Sequence, residues 1–426
     1  MQLIRNYYPF TNVGYSTFDH AKALPRHRWY YFKEGFSPLL VDKAIQESNL
    51  NPYDLVIDPF AGSGTVPLVA SALGYDSIGF EVNPFMSLIA NVKLSTLCGN
   101  RFTDSAQSIF QGINKGSKSS LEGFSTFTPA NNEKKWLFNT EVIQAFEGGW
   151  EAAQELSSEI KEIYELALIT AAIDNANFIK DGKCVRYKKD WNVRNYSKKT
   201  FVQSFNNLYG MISTDLDCSP LLKSGKIITG DIRTNIDLLD DQKRFKLCVT
   251  SPPYLNSFDY SDIYRPELFL GKFVANNEDL YKLRLSTLRS HIQAKWKNPT
   301  DNDFGALYEN CYDQIVTRKD TLWSNRIPDM IQAYFEDMKY VLLKLKEKAA
   351  RDASIWMVVS TSAYAGIEIP VDLILADIGA NLGWNFKEVV VVRHLRNSTQ
   401  NATKWNSGEG KIGRLRESIV KFEGFL

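Results

Sequence analysis

The segment "LCVTSPPYLNSFDY", Leu247 to Tyr260, sets two consecutive prolines directly after a short apolar run. Leu247 to Val249 has the composition of a buried strand. Pro252 and Pro253 end it, because each fixes φ and drives the preceding residue into extended geometry. Carbonyls in such a turn neither enter a helix nor continue a ladder, so they stand as free acceptors. Ser251 Oγ and the Pro252 carbonyl then suit the protons of an exocyclic amino group, and Tyr254 offers a face on which a nucleobase can stack. An aromatic amine is a poor nucleophile because its lone pair is delocalised into the ring. Acceptors around its protons favour the pyramidal form and expose the lone pair to an electrophilic methyl, with no covalent enzyme intermediate. Prolines also close edge strands, but that role alone gives the serine and the tyrosine nothing to do.

A second constellation lies upstream, in "DPFAGSGT". Gly62 and Gly64 allow a tight turn and close backbone approach to a ligand, and the helix that follows offers unpaired N–H groups. Asp58 ends the preceding strand. Glu81 ends the next one, about twenty residues beyond the glycines, where a carboxylate can accept both hydroxyl protons of a ribose. Asp231 ends a third, "KIITGD". Three acids at the carboxyl ends of consecutive strands are expected to line one crevice, which is where open α/β sheets bind ligands. A dinucleotide-dependent oxidoreductase would use the same glycine turn, so only "TSPPY" separates methyl transfer from hydride transfer.

These stretches resemble the amino-group DNA methyltransferases that use S-adenosylmethionine. "DPFAGSGT" looks like their cofactor motif, with Asp58, Phe60, Gly62, Gly64 and Thr65 as cofactor-binding positions. "GFEVNP" resembles the segment bearing their ribose-binding acid, Glu81, and "TGDI" the one bearing their adenine-contacting acid, Asp231. "TSPPY" is similar to their catalytic motif, which makes Ser251, Pro252, Pro253 and Tyr254 catalytic. "KEGFSPLLVDKAI" is similar to the segment that closes over the methionine end of the cofactor, giving that role to Phe36, Ser37 and Pro38. In this family a serine at the first catalytic position usually accompanies cytosine N4 methylation, and Asp or Asn accompanies adenine N6 methylation. The resemblance therefore implies a sequence-specific cytosine-N4 enzyme acting on double-stranded DNA, with a separate cognate restriction endonuclease as its companion. Adenine-N6 or RNA methylation on the same fold, or a catalytically silent nucleic-acid-binding module, are the alternatives. The cytosine C5 chemistry is disfavoured, since it needs a thiolate nucleophile after a proline and no Cys follows Pro here.

To reach an amino group in duplex DNA the base must leave the stack, so recognition needs surface beyond the sheet. Between Lys180 and Lys199 basic residues cluster, with Tyr187, Trp191 and Tyr196 interleaved. Lys183, Arg186, Lys188, Lys189 and Arg194 are candidates for phosphate contact. "LYKLRLSTLRSHIQAKWK" is a second basic stretch. The polar loop "LRNSTQNATKWNSGEGKIGRLR" is expected to close on DNA, with Arg393, His394 and Arg396 near the flipped base.

The elements that must hold these residues follow from periodicity. Leu55 to Asp58, "DSIGFEV", "KIITGD" and Leu247 to Val249 read as strands, with helices after the first two, and the alternation predicts a parallel sheet. A helix is expected at Pro328 to Lys348, followed by "SIWMVVSTS", a helix in "VDLILADIGANLG", "FKEVVVVRH" and the terminal "ESIVKF". The fold class is α/β, a Rossmann-like methyltransferase sheet, mostly parallel with an antiparallel terminal strand. Residues 1–97 and 226–426 form the catalytic domain. Residues 98–225 form a largely helical insertion and candidate target-recognition region, in which Leu156, Ile160, Ile163 and Ala167 share one helical face; residues 259–325 form a second insertion, a candidate DNA-contacting region.

With 426 residues the chain has ample core, and a net charge of +1 assigns any nucleic-acid binding to local basic patches. Five scattered cysteines without a C-x-x-C pair argue against a zinc site or a disulfide framework, and no metal is expected. The start lacks the apolar core of a signal peptide, and no run is long enough to span a bilayer, so a soluble, cytoplasmic protein without membrane partners is expected.

Overall fold

The computed structural model describes residues 4–6, 15, 17–130, 134–182, 184–395 and 415–425. Twelve strands are assigned among them: β1 (Ile4–Asn6), β2 (Leu55–Asp58), β3 (Asp76–Glu81), β4 (Phe178–Asp181), β5 (Cys184–Tyr187), β6 (Lys226–Thr229), β7 (Phe245–Thr250), β8 (Ala349–Ser360), β9 (Ser362–Tyr364), β10 (Ile367–Ile369), β11 (Trp384–His394) and β12 (Arg416–Phe425). Eight form one sheet in the order β1-β11-β12-β8-β7-β2-β3-β6. Pairing is parallel throughout β8-β7-β2-β3-β6, whereas β12 runs antiparallel to both β8 and β11. This is the α/β sheet expected from the motifs, mostly parallel with an antiparallel terminal strand. Short β1, parallel to β11, and the small hairpins β4-β5 and β9-β10 were not foreseen.

The sheet is covered on both faces, which is why its central strands are nearly continuous apolar runs. Along β7, Leu247 and Val249 pack with Trp356 and Val358 beneath α1 (Pro38–Glu47) and α2 (Thr65–Ala72). Cys248 points the other way, joining Ile355 and Met357 under the helices Ile327–Lys348 and Val371–Asn381. The helix expected from Pro328 to Lys348 thus forms, and it flanks the sheet.

Helix starts follow their caps. Ser37 Oγ accepts from the Leu39 N–H at 3.3 Å with Pro38 in the first turn of α1. Asn83 Oδ1 accepts from the Phe85 N–H at 3.0 Å with Pro84 opening α3 (Pro84–Lys93). In residues 98–225 long helices dominate, but the helix that carries Ile160, Ile163 and Ala167 begins only at Ser158. Leu156 therefore precedes it, because the chain is extended at Ser157, although Leu156 still packs against the same core. That core is shared. It runs from Phe146 and Tyr164 in the helical segment to Trp29, Phe85 on α3 and Phe269, so this segment is fused to the flank of the sheet. Among the described residues no helix is long and apolar enough to cross a membrane.

Candidate active site

Parallel strands β2 and β7 are neighbours, and β3 and β8 lie on their far sides, so the connections from β2 and β7 leave the sheet in opposite directions. A crevice opens at such a switch point, beyond the carboxyl ends of the strands. Here it is a cavity of about 440 Å³ into which both sequence motifs open.

From β2 the chain turns through Phe60, Gly62 and Ser63, which line the cavity, and enters α2 at Thr65, which lines it too. Gly64 lies behind them with φ +80°, and a Cβ there would meet Ala90 Cβ at 2.7 Å and Ala90 Cα at 2.9 Å on α3. The second glycine is thus demanded by packing as well as by its left-handed backbone. Beneath the turn, buried Lys93 donates from Nζ to the Ser63 carbonyl at 3.2 Å, and burial lowers its pKa to about 7.

The three acids do not share one role. Glu81 is half-buried on the cavity wall, its Oε2 accepting from the Gly62 N–H at 2.7 Å and its Oε1 from the Asn83 N–H at 2.8 Å. Burial pushes its pKa up to about 7 against those donors. Asp58, by contrast, lies under the cavity floor and is not part of its lining. Its Oδ1 accepts from Thr250 Oγ1 at 2.7 Å and from the Phe60 N–H at 3.0 Å, which ties β2 to the end of β7. Oδ2 is buried without a hydrogen-bond partner among the described residues, and burial raises the pKa to about 7. Asp231 does reach the wall, but its carboxylate is clasped by Arg233, with Nη2 to Oδ2 at 2.7 Å. Arg233 also holds Asp337 at 2.9 Å and the Thr287 carbonyl at 3.1 Å, so the acid is linked to Ser286, Thr287 and His291, which line the cavity from residues 259–325. Of the segment similar to the methionine-side lid, Phe36 lines the cavity while Ser37 and Pro38 serve the start of α1.

The β7–β8 ladder stops at Thr250↔Met357 although β8 runs on to Ser360. Ser251, Pro252, Pro253 and Tyr254 follow, all on the cavity wall. The loop beyond is pinned: the Ser257 N–H donates to the Ser290 carbonyl at 3.1 Å, and Tyr364 Oη donates to the Leu255 carbonyl at 3.2 Å. Tyr254 Oη donates to Glu417 Oε1 at 2.5 Å, and the Tyr254 pKa is driven far up by burial and then by that carboxylate. Sequence reasoning missed Glu417. An antiparallel strand presents its first residues, not its last, at the ligand edge, and in β12 those are Arg416 and Glu417.

It also missed His291, whose imidazole is held neutral, its pKa lowered to about 4 chiefly by burial. Its Nδ1 accepts from the Gln293 N–H at 3.3 Å, which leaves Nε2–H to face Thr287 Oγ1 at 3.2 Å.

The basic candidates divide. Arg186 on β5 and Lys189 are exposed, Arg186 pairing with Asp181 at 3.1 Å. Lys188 and Arg194 bind back to the chain, Lys188 Nζ to the Ala176 carbonyl at 2.7 Å and Arg194 Nε to Asp190 at 2.9 Å. Strand β4 is moored to the cavity wall by Lys180, which bonds Glu267 and lies 3.7 Å from the ring centre of Tyr264, itself a wall residue. Arg393 lines the cavity, and His394 is exposed at the end of β11. Lys183, Arg396 and most of the loop expected to close on DNA lie outside the described residues.

Residues 2–91 match a family described as DNA methylase, of the N6/N4 type. The chain is 26% identical over 421 residues to the Type II methyltransferase M.AvaI of Nostoc sp., an alignment spanning 88% of this chain and 82% of that protein. It is 26% identical over 455 residues to the Type II methyltransferase M.BsoBI of Geobacillus stearothermophilus, spanning 93% and 85%. A shorter match, 41% identical over 68 residues, links 16% of the chain to 13% of the Type II methyltransferase M.MjaII of Methanocaldococcus jannaschii. On these matches the chain is a relative of the amino-group (N4/N6) DNA methyltransferases.

Proposed function

We propose that this Type II DNA methyltransferase acts on the exocyclic N4 amino group of cytosine within a specific duplex sequence, as the modifying half of a restriction-modification pair. The observation that carries the proposal is the Ser251-Pro252-Pro253-Tyr254 turn opening into the same cavity as the glycine turn and Glu81. The choice of cytosine rests on Ser251 and the family's pattern at that position.

The methyltransferase family implies S-adenosylmethionine, and the residues present fit it. Glu81 has each carboxylate oxygen held by one N–H, which leaves a lone pair on each for a ribose hydroxyl. Phe36, Phe60, Val82 and Ile232 give an apolar wall for a purine, and the volume is that of a small-molecule site. When bound, the cofactor supplies an electrophilic methyl.

Everything else falls to the chain's own side chains. Ser251 Oγ and the Pro252 carbonyl accept hydrogen bonds from the amino group of the target base, drawing its nitrogen toward the pyramidal form in which the lone pair is free; once the N–C bond has formed, the surplus amino proton leaves to water. Tyr254 stacks on the base. The prolines hold those acceptors fixed, so little reorganisation is needed when the reaction begins. Exposed Arg186 and Lys189 supply phosphate contacts from a hairpin moored beside the cavity.

Incubating the purified chain with labelled S-adenosylmethionine and unmethylated genomic DNA tests the proposal. Label should enter duplex DNA in proportion to protein. Label that enters only RNA, or no nucleic acid, would contradict it.

A further inference from the structure

Glu417 is a buried carboxylate, 1% exposed, at the start of β12 and in register with Arg393 on β11 and Ser360 on β8. It lines the cavity together with Tyr254 and Arg393. Oε1 accepts from Tyr254 Oη at 2.5 Å, and Oε2 accepts from Arg393 Nε at 2.7 Å, with Arg393 Nη2 3.4 Å from Oε1. Keeping a charge at such a place is costly unless cation and donors surround it, and an apolar side chain would fill the volume at less cost.

We propose that Glu417, backed by Arg393, is a positioning residue that fixes the ring of Tyr254 against the target base; this rests on the methyltransferase reading of the cavity. A tyrosine anchored only at Cβ can swing about χ1 and χ2. Held also at its far hydroxyl, it presents one plane. A phenol donating to a carboxylate is also richer in π-electron density, which favours stacking on a base that gains positive charge as its amine is alkylated. Arg393 balances the carboxylate's charge from Oε2, so Oε1 stays turned to the phenol as its acceptor.

The test is a double-mutant cycle on the full chain, read as methyl transfer from S-adenosylmethionine to unmethylated genomic DNA, with cofactor Kd and thermal midpoint measured alongside. Glu417→Ala should lower kcat about 10- to 100-fold and leave cofactor Kd within about 2-fold. Glu417→Gln, which keeps an acceptor for the phenol, should recover much of that rate. In a Tyr254→Phe background, which already lacks the hydroxyl, either change at Glu417 should cost less than about 2-fold more. If Glu417→Ala does not fold, Glu417→Met, of similar volume but without the carboxylate acceptor, and its combination with Tyr254→Phe carry the same comparison. An unchanged kcat in Glu417→Ala, or an undiminished loss in the Tyr254→Phe background, overturns the positioning role while wild-type transfer upholds the reading of the cavity. A wild-type chain that transfers no methyl overturns both.

Discussion

Two residues at the carboxyl ends of adjacent strands carry different duties. Ser251 stands on the cavity wall where the β7–β8 ladder has stopped, whereas Asp58 lies beneath the floor and holds Thr250 and the Phe60 N–H in place. Ser251→Ala should therefore lower kcat by at least about 10-fold while cofactor affinity stays within about 2-fold, since the hydroxyl acts on the amine; a parallel loss of both would remove its assigned role. For Asp58 the expectation concerns stability. Its pKa is raised to about 7 in the fold from a usual carboxylate value, so the folded chain binds a proton that the unfolded chain releases. That contribution is complete at pH values below the usual carboxylate range and is lost as pH rises through about 7. Asp58→Asn, neutral at every pH, should flatten the fall in urea-unfolding free energy between about pH 5 and 8, an effect of a few kcal/mol. An unchanged slope would show that Asp58 is ionised throughout.

At the scale of elements, the two chemical motifs meet because β2 and β7 are neighbours at the point where the connections diverge. That much was legible. Leu55 to Asp58 is a strand with those limits, the helix over Pro328 to Lys348 forms, and the terminal strand is antiparallel. What escaped was whatever depends on pairing across long separations. Glu417 is ordinary in "LRESIVKF" until β12 is inserted between β8 and β11, and Asp58 looks like a ligand-facing acid until its neighbours show it tied to Thr250. The hairpin β4-β5 was hidden inside a basic stretch whose charge is plain and whose strands are four residues each. Gly64 gives the sharpest elemental test, because α2 and α3 meet there at backbone distance. Gly64→Ala should destabilise the fold by about 2 to 4 kcal/mol, seen as a lower urea midpoint, from both clash and left-handed φ. A stable Gly64→Ala would mean that α3 can yield.

Across the whole molecule, helices from residues 98–225 share a core with α3 and Phe269, so the surface proposed to contact DNA is carried on a frame continuous with the flank of the sheet. Net charge is almost nil, and attraction to a polyanion must come from exposed patches such as Arg186 and Lys189. Replacing both with alanine should weaken DNA binding evenly across sequences and reduce the slope of log affinity against log salt by about 1 per residue. An unaltered slope would place the phosphate contacts elsewhere. The central claim is the identity of the methylated atom, and hydrolysis of DNA from cells expressing the chain, followed by nucleoside mass spectrometry, addresses it directly. N4-methylcytosine absent from control cells is the predicted product; N6-methyladenine without N4-methylcytosine would contradict it.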